Sequence, residues 1–314
     1  MDFLLAALGL TILVLAGDAL VRGAVNMSLR VGVPALVVSL TIVAFGTSAP
    51  ELLVSVQAVL GGVPGIALGN VVGSNIANVL MVLGLPAMIS GLVMRDAETR
   101  RSYWVMAGVS LLFVALAFAG PFRVWHGLVL LAALAAVLLD HFRTARAHRR
   151  AGIADEEEVE GADPELRWWK ILLFLGLGLA GLPLGANILI DASVNIAERF
   201  GISDTVIGLT LVAIGTSLPE LATTVMAALR GRADVALGNV IGSNVFNLLA
   251  IVGITSMVAP VPVDPVLLRF DLWIMLAAAA VLAPFAISGW RLGRIWGASF
   301  AAIYGGYLWV VVTT

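Results

Sequence analysis

The sequence predicts an all-α integral membrane protein of ten transmembrane helices in two inverted five-helix repeats. Helices two, three, seven and eight are expected to be broken around a site at the midplane of the bilayer. Three observations lead there. The 314 residues are 61% hydrophobic and 12% charged, with a mean hydropathy of +1.04, where soluble globular chains carry about 25% charged residues. The apolar residues fall into ten runs of about the 20 residues that a helix needs to cross roughly 30 Å of hydrocarbon. Finally, residues 31–84 align with 200–253 without a gap, and 27 of the 54 positions are identical.

The elements follow in chain order. The first run, about 3–25, begins with acidic Asp2 rather than a basic segment and is longer than a typical signal peptide, so it is read as a retained spanning helix. Runs at about 34–60 and 66–92 carry two polar blocks, and runs at about 103–120 and 124–141 complete the first half, residues 1–142. Residues 143–167 form a cytoplasmic charged linker, basic at Arg143, Arg146, Arg149 and Arg150, then acidic from Asp155 to Glu165. About 25 residues cannot hold a folded regulatory domain. The linker is read as a solvated hinge with its basic end on anionic lipid, in preference to a calcium sensor.

The second half, 168–314, repeats the plan with runs at about 168–192, 203–229, 233–258, 269–287 and 293–312. Five crossings is an odd number, so the second half enters the membrane the other way up and a pseudo-two-fold axis lies in the membrane plane. Basic residues set the orientation. With the N-terminus outside, fifteen of the eighteen Lys and Arg fall on the cytoplasmic side and only Arg123, Arg199 and Arg269 outside. Both termini are then external.

Composition also excludes. There are no cysteines, hence no disulfides and no thiolate metal ligands. A net charge of −2, with no basic cluster interleaved with aromatics, argues against nucleic-acid binding. No nucleophile–base pair, phosphate loop or nucleotide motif is present, so neither enzyme activity nor a cofactor is expected. His126, His141 and His148 lack metal-ligand partners at useful spacing. Asp18 and Arg22, at i and i+4, read as an interfacial pair. Asp191, Glu198 and Asp204 fall at the outer end of helix six and the loop after it.

The repeated blocks carry the chemistry. Gly46-Thr47-Ser48-Ala49-Pro50-Glu51 returns as Gly215-Thr216-Ser217-Leu218-Pro219-Glu220, and Gly69–Asn78 returns as Gly238–Asn247. Each proline removes a backbone donor and clashes with the preceding turn, so both helices should kink or unwind there. The break should free backbone carbonyls, here expected at Ala44, Thr47, Ala213 and Thr216, and such groups are tolerated in a membrane only where they face protein, water or an ion. Thr47 and Ser48 lie four and three residues before Glu51, on its face of the helix, while Ser74 and Asn78 are an i, i+4 pair; Thr216, Ser217, Glu220, Ser243 and Asn247 repeat the geometry. A single Gly-Thr-Ser-x-Pro stretch is commonly only a kinked helix, and a lone membrane Ser or Thr commonly bonds its own backbone. Gly69, Gly73, Gly238 and Gly242 also suit close helix packing. Two glutamates in matched contexts are not explained that way, because buried acids are expensive in lipid. The set is an oxygen-only cage suited to sodium, calcium or magnesium rather than zinc or copper, and it implies a secondary transporter.

These blocks, their order and their inverted duplication resemble the alpha-repeats of the sodium/calcium exchanger family, within the calcium/cation antiporter superfamily, in its prokaryotic form. The resemblance covers essentially the whole chain. It implies calcium binding by Glu51 and Glu220 with the carbonyls of Thr47 and Thr216. It implies flanking sodium sites formed with Ser48, Ser74, Ser217, Ser243 and the carbonyls of Ala44 and Ala213, with Asn78 and Asn247 completing the middle. It further implies location in a prokaryotic cell membrane, Na+ and Ca2+ as transported substrates, the lipid bilayer as surroundings, and no obligate protein partner. Several relatives, notably potassium-dependent exchangers, have aspartate where this chain has Asn247, which implies potassium-independent exchange here. Three sodium ions per calcium would make it electrogenic, and helices one and six would form the sliding cover. A proton/calcium antiporter is the nearest alternative, a cation channel a more distant one, and a non-transporting scaffold leaves the paired acids unexplained.

Overall fold

The computed structural model describes residues 1–31, 35–62, 64–93, 97–151, 163, 165–199 and 213–313. Most of the acidic linker and the start of the seventh expected helix, including Asp204, lie outside the described residues. Apolar composition produces helix almost throughout, because backbone polar groups in lipid must be satisfied within their own segment. In order come α1 (Asp2–Val31), α2 (Ser39–Thr47), α3 (Ala49–Leu60), α4 (Pro64–Ile89), α5 (Ala97–Phe118), α6 (Val124–Ala151), α7 (Trp168–Arg199), α8 (Ala213–Thr216), α9 (Leu218–Leu229), α10 (Ala233–Val258), α11 (Leu267–Ser288) and α12 (Arg294–Thr313). Among the described residues, seven helices are long and apolar enough to cross a membrane, or eight if the pair α2 and α3, bent by 48°, is one span.

The pseudo-symmetry extends beyond the polar blocks. A two-residue strand β1 (Leu92–Val93) pairs antiparallel with β2 (Arg291–Leu292), while Phe122 pairs with Val261 in an isolated bridge. Leu92 and Val261 stand 169 residues apart, as do Phe122 and Arg291, which is the offset of the sequence repeat. Each ribbon therefore ties a loop of one half to a loop of the other.

Burial separates the centre from the periphery. In α10, 94% of the most apolar window is buried within protein, and in α4 78%, against 33% in α1 and in α7. The two helices carrying the Gly-Ser-Asn blocks are thus the core of the molecule. Helices α1 and α7 instead pack on each other around their own apolar cluster of Leu13, Ala16, Leu20, Ile171, Leu175, Leu182 and Ala186, separate from the main core.

Their approach is set by glycine. A Cβ added at Gly178 would come within 2.5 Å of Leu20 Cβ, and one at Gly185 within 2.9 Å of the Leu13 nitrogen. Lipid is as apolar as leucine, so helix association in a membrane relies on such close backbone packing. Gly185→Val is accordingly expected to cost about 1–3 kcal/mol through overpacking against backbone. The check is the thermal midpoint of purified protein in detergent, and an unshifted midpoint would show that the close approach is dispensable.

Asp2, Asp18 and Arg22 of α1 are all paired. The i, i+4 pair forms, with Arg22 Nε 2.9 Å from Asp18 Oδ2, but Asp18 is also held by Arg230 at the end of α9. Asp2 and Arg199 join the other ends of α1 and α7 at 2.6 Å.

Candidate functional site

The site begins where α2 gives way to α3. Pro50 lies in the first turn of α3, where a missing N–H costs least, and Ser48 turns the chain with φ −86° and ψ 5°. The second half repeats this with Pro219 in the first turn of α9 and Ser217 at φ −90°, ψ 5°. Each break creates a new helix start inside the protein, and its first turn carries the acid, Glu51 or Glu220. The positive end of the helix dipole favours a negative charge at that position.

The two carboxyls belong to one site. Ser48 donates to Glu220 Oε1 at 3.0 Å, bridging the halves, and Ser243 donates to the same oxygen at 3.4 Å. Ser48 lies in the same break as Glu51, three residues before it, so the turn that carries the first acid is bonded to the second. Exposure is 1% for Glu51 and 0% for Glu220, yet Oε2 of each has no hydrogen-bond partner in the protein.

Four asparagines hold the core helices together in a pseudo-symmetric set. Asn75 Nδ2 donates to the carbonyl of Asn244 at 3.3 Å, and Asn244 Nδ2 returns a bond to the carbonyl of Asn75 at 3.4 Å. Asn78 Nδ2 donates to Asn244 Oδ1 at 3.0 Å, and Asn247 Nδ2 to Asn75 Oδ1 at 3.2 Å. The oxygens Asn78 Oδ1 and Asn247 Oδ1 are left buried and unpartnered, as is Ser217 Oγ. With the two glutamate oxygens this makes five buried oxygens lacking a donor, each worth about 1–3 kcal/mol in lost solvation. A desolvated hard cation is the partner that would satisfy such a set. Among the described residues, no group of three or more His, Cys, Asp or Glu could hold a metal, so any cage here supplements its two carboxyls with hydroxyl, amide and carbonyl oxygens.

Two pairs of hydroxyls flank the acids, each pair taking one from each half. Thr47 donates to Asn239 Oδ1 at 3.2 Å and lies 3.4 Å from Ser243 Oγ, sealed at 1% and 0% exposure. The equivalent pair, Thr216 and Ser74, instead lines a cavity of about 740 Å³. The site is closed on one side and faces open space on the other.

Three expectations need correction. The carbonyl of Ala44 is not released by the break, because it accepts from Ser48 N–H at 3.0 Å and from Thr47 Oγ1 at 3.3 Å. In the second half Ser217 N–H turns to Ile214 at 3.1 Å, leaving the Ala213 carbonyl without that partner. The third and eighth expected spans are also continuous rather than broken: α4 and α10 pass through π-helical turns at Asn78–Val82 and Asn247–Ile251. No proline lies in either turn, so the ladder lengthens by one residue instead of breaking, a distortion common at functional sites.

Sequence reasoning omitted the supporting shell. Asn70 Nδ2 donates to the Glu51 carbonyl at 3.4 Å and to Ser55 Oγ at 3.1 Å. Asn239 does the same for Glu220 and Thr224, at 3.3 and 3.1 Å. The signal was present, since Asn70 and Asn239, Asn75 and Asn244, and the hydroxyls Ser55 and Thr224 all recur at the repeat offset. Asn244→Ala removes two of these four inter-helix bonds and strands the buried Asn78 Nδ2 donor, with an expected cost of about 1–3 kcal/mol. A melting curve unaffected by this substitution would show that the asparagine set does not join the halves.

Comparison with known proteins gives a consistent picture. The chain matches the family described as "Sodium/calcium exchanger protein" over residues 1–140 and 170–313. It is 36% identical to a putative antiporter, CaxA, of Alkalimonas amylolytica, over 91% of this chain and 89% of that one. It is 34% identical to the sodium/calcium exchanger MaX1 of Methanosarcina acetivorans, over 99% and 98%. Among solved structures, the sodium-calcium exchanger NCX_Mj, soaked with Na+ and without Ca2+, superimposes with a TM-score of 0.81 at 32% identity, covering 96% of each chain.

Proposed function

The chain belongs to the sodium/calcium exchanger protein family, and from that premise we propose that it exchanges Na+ for Ca2+ by alternating access, electrogenically and without potassium. The observation that carries this reading is the pair of buried carboxyls, one from each half, each with an oxygen unmet by the protein. Glu51 and Glu220, with oxygens of Thr47 and Thr216, bind calcium. Sodium takes overlapping positions at Ser48, Ser74, Ser217, Ser243, Asn78, Asn247 and the Ala213 carbonyl, the Ala44 carbonyl being occupied by Ser48 N–H and Thr47 Oγ1. Shared ligands make the two ions compete, which is the requirement for exchange rather than co-transport.

The chain crosses the membrane ten times, both termini outside, counting α2 with α3 as one span, α8 with α9 as another, and α12 with the other long helices. Residues 1–142 and 168–314 are the inverted halves, joined by the cytoplasmic linker 143–167. The separate apolar cluster between α1 and α7 supports a gate that moves as one body across the asparagine-bonded core. The cavity beside Ser74 and Thr216, set against the sealed Thr47 and Ser243, fits a state open to one side.

The test is uptake of isotope-labelled calcium into proteoliposomes under imposed sodium, potassium or proton gradients. Uptake driven by an outward sodium gradient is expected. Uptake driven only by protons would replace this reading with proton/calcium antiport.

A further inference from the structure

The cavity of about 740 Å³ that reaches Ser74 and Thr216 has an acid on its wall. Asp271, in the first turns of α11, lines it together with Asn70, Tyr304 and Tyr307. Tyr307 donates to Asp271 Oδ1 at 3.0 Å, and the Phe270 ring stacks on that of Tyr307 with centroids 6.3 Å apart. Among the described residues, no Lys, Arg or His lines the cavity and no basic side chain forms an ion pair with Asp271. Asp264, seven residues earlier and just before α11, adds negative charge near it. A carboxylate on a low-dielectric wall without a counter-ion attracts mobile cations, and a cavity focuses that field.

The equivalent place in the other half lacks this feature. At the repeat offset Asp271 corresponds to Ser102 and Tyr307 to Leu138. Both of these line a second cavity, of about 380 Å³, whose other walls include Leu40, Phe45, Leu134 and Phe246 and hold no acid among the described residues. The acid therefore belongs to one face of the molecule, the face on which the α11 N-terminus and the α12 C-terminus lie.

We propose that Asp271, with the Tyr307 hydroxyl, forms a vestibule subsite for the exchanged cation, Na+ or Ca2+, that loads the cage through Ser74 and Thr216 from that face alone. The subsite rests on the exchange reading above. It would raise local cation concentration and accept a partly hydrated ion from a carboxylate oxygen and a phenol oxygen, both hard donors suited to either ion. Because it lies outside the cage, it should set how readily the cage fills and not how fast a filled cage turns over.

The experiment measures calcium uptake against calcium concentration in vesicles of defined orientation, for the wild type, Asp271→Asn and Asp271→Glu. Asp271→Asn is expected to raise the half-saturating concentration about three- to tenfold from the cavity face, to leave it unchanged from the other face, and to keep the maximal rate. Asp271→Glu should recover most of the loss. Raising ionic strength with choline chloride should narrow the gap between wild type and Asp271→Asn, since screening weakens an attraction of this kind. Equal effects at both faces, or no effect at either, would overturn the subsite. If Asp271→Asn does not fold, Tyr307→Phe with the same face-by-face comparison decides, and an unaltered half-saturation at the cavity face counts against it. Glu220→Gln separates the two readings. If it abolishes flux while Asp271→Asn matches wild type, only the vestibule falls; if it transports normally, the exchange reading falls as well.

Discussion

Glu51→Gln and Glu220→Gln are each expected to lower calcium uptake about 100-fold or more while leaving folded protein, since losing one partner of a buried charge interaction costs roughly 3–5 kcal/mol. The substitution keeps shape and one oxygen but removes half of the formal charge that the cage presents to a divalent ion. Neither side chain is expected to hold the fold. Glu220 does accept from Ser48 and Ser243, but glutamine retains an acceptor oxygen there. Glu51 Oε2 and Glu220 Oε2 bond nothing in the protein. An elution volume and melting profile like the wild type, combined with lost uptake, would separate a binding role from a structural one. Normal calcium uptake in either variant would remove the assignment of the site. The pseudo-symmetry adds a sharper expectation, that the two variants fail to similar degrees, because each acid sits in the first turn of an equivalent helix.

The second large effect is electrical. With asparagine at both 78 and 247, the acids of the cage are Glu51 and Glu220 and its formal charge is −2. One calcium ion neutralises it, whereas three sodium ions leave a single positive charge, so a full cycle at that stoichiometry carries one net charge. A potential of 100 mV then biases the exchange by about 2.3 kcal/mol, or about 50-fold in the ion gradients it can balance. Proteoliposomes clamped with potassium and valinomycin at different potentials would measure this, and replacing potassium by choline at zero potential would test independence from potassium. Uptake indifferent to potential would rule out this stoichiometry, and an absolute need for potassium would rule out the role given to Asn247.

Some of this was legible in the chain before any coordinates. Periodicity was of little use, because a helix surrounded by lipid is apolar on most faces. Length and apolar composition marked the spans instead, since the thickness of hydrocarbon sets helix length. The candidate acids were legible because a carboxyl inside an apolar run is costly and a gapless duplication makes chance an unsatisfactory reason for two of them. The break at Pro50 was legible because proline has no N–H, and the structure bends the pair α2 and α3 by 48° there.

What escaped was the carbonyl chemistry and the supporting shell. Whether Ala44 offers a free oxygen depends on where Ser48 N–H points, and the two halves differ in this: Ser48 bonds Ala44, whereas Ser217 bonds Ile214. Identical motifs thus carry different backbone bonds, which no reading of the motif could reveal. The asparagines that clamp Glu51 and Glu220 were in plain sight but were indistinguishable from others in the block until their partners were known.

By itself, then, the chain determined that it lies in a membrane, that it is built twice, and that acids, hydroxyls and amides stand at matched places in both copies. These are consequences of composition and local covalent chemistry, which every conformation of the chain shares. Only the tertiary structure decided that Ser48 reaches across to Glu220, that four asparagines lock α4 to α10, and that space opens beside Ser74 and Thr216 but not beside Thr47 and Ser243. Those facts join residues 142–196 positions apart. They depend on how rigid helices settle against one another, where a shift of an ångström or two exchanges an open face for a sealed one.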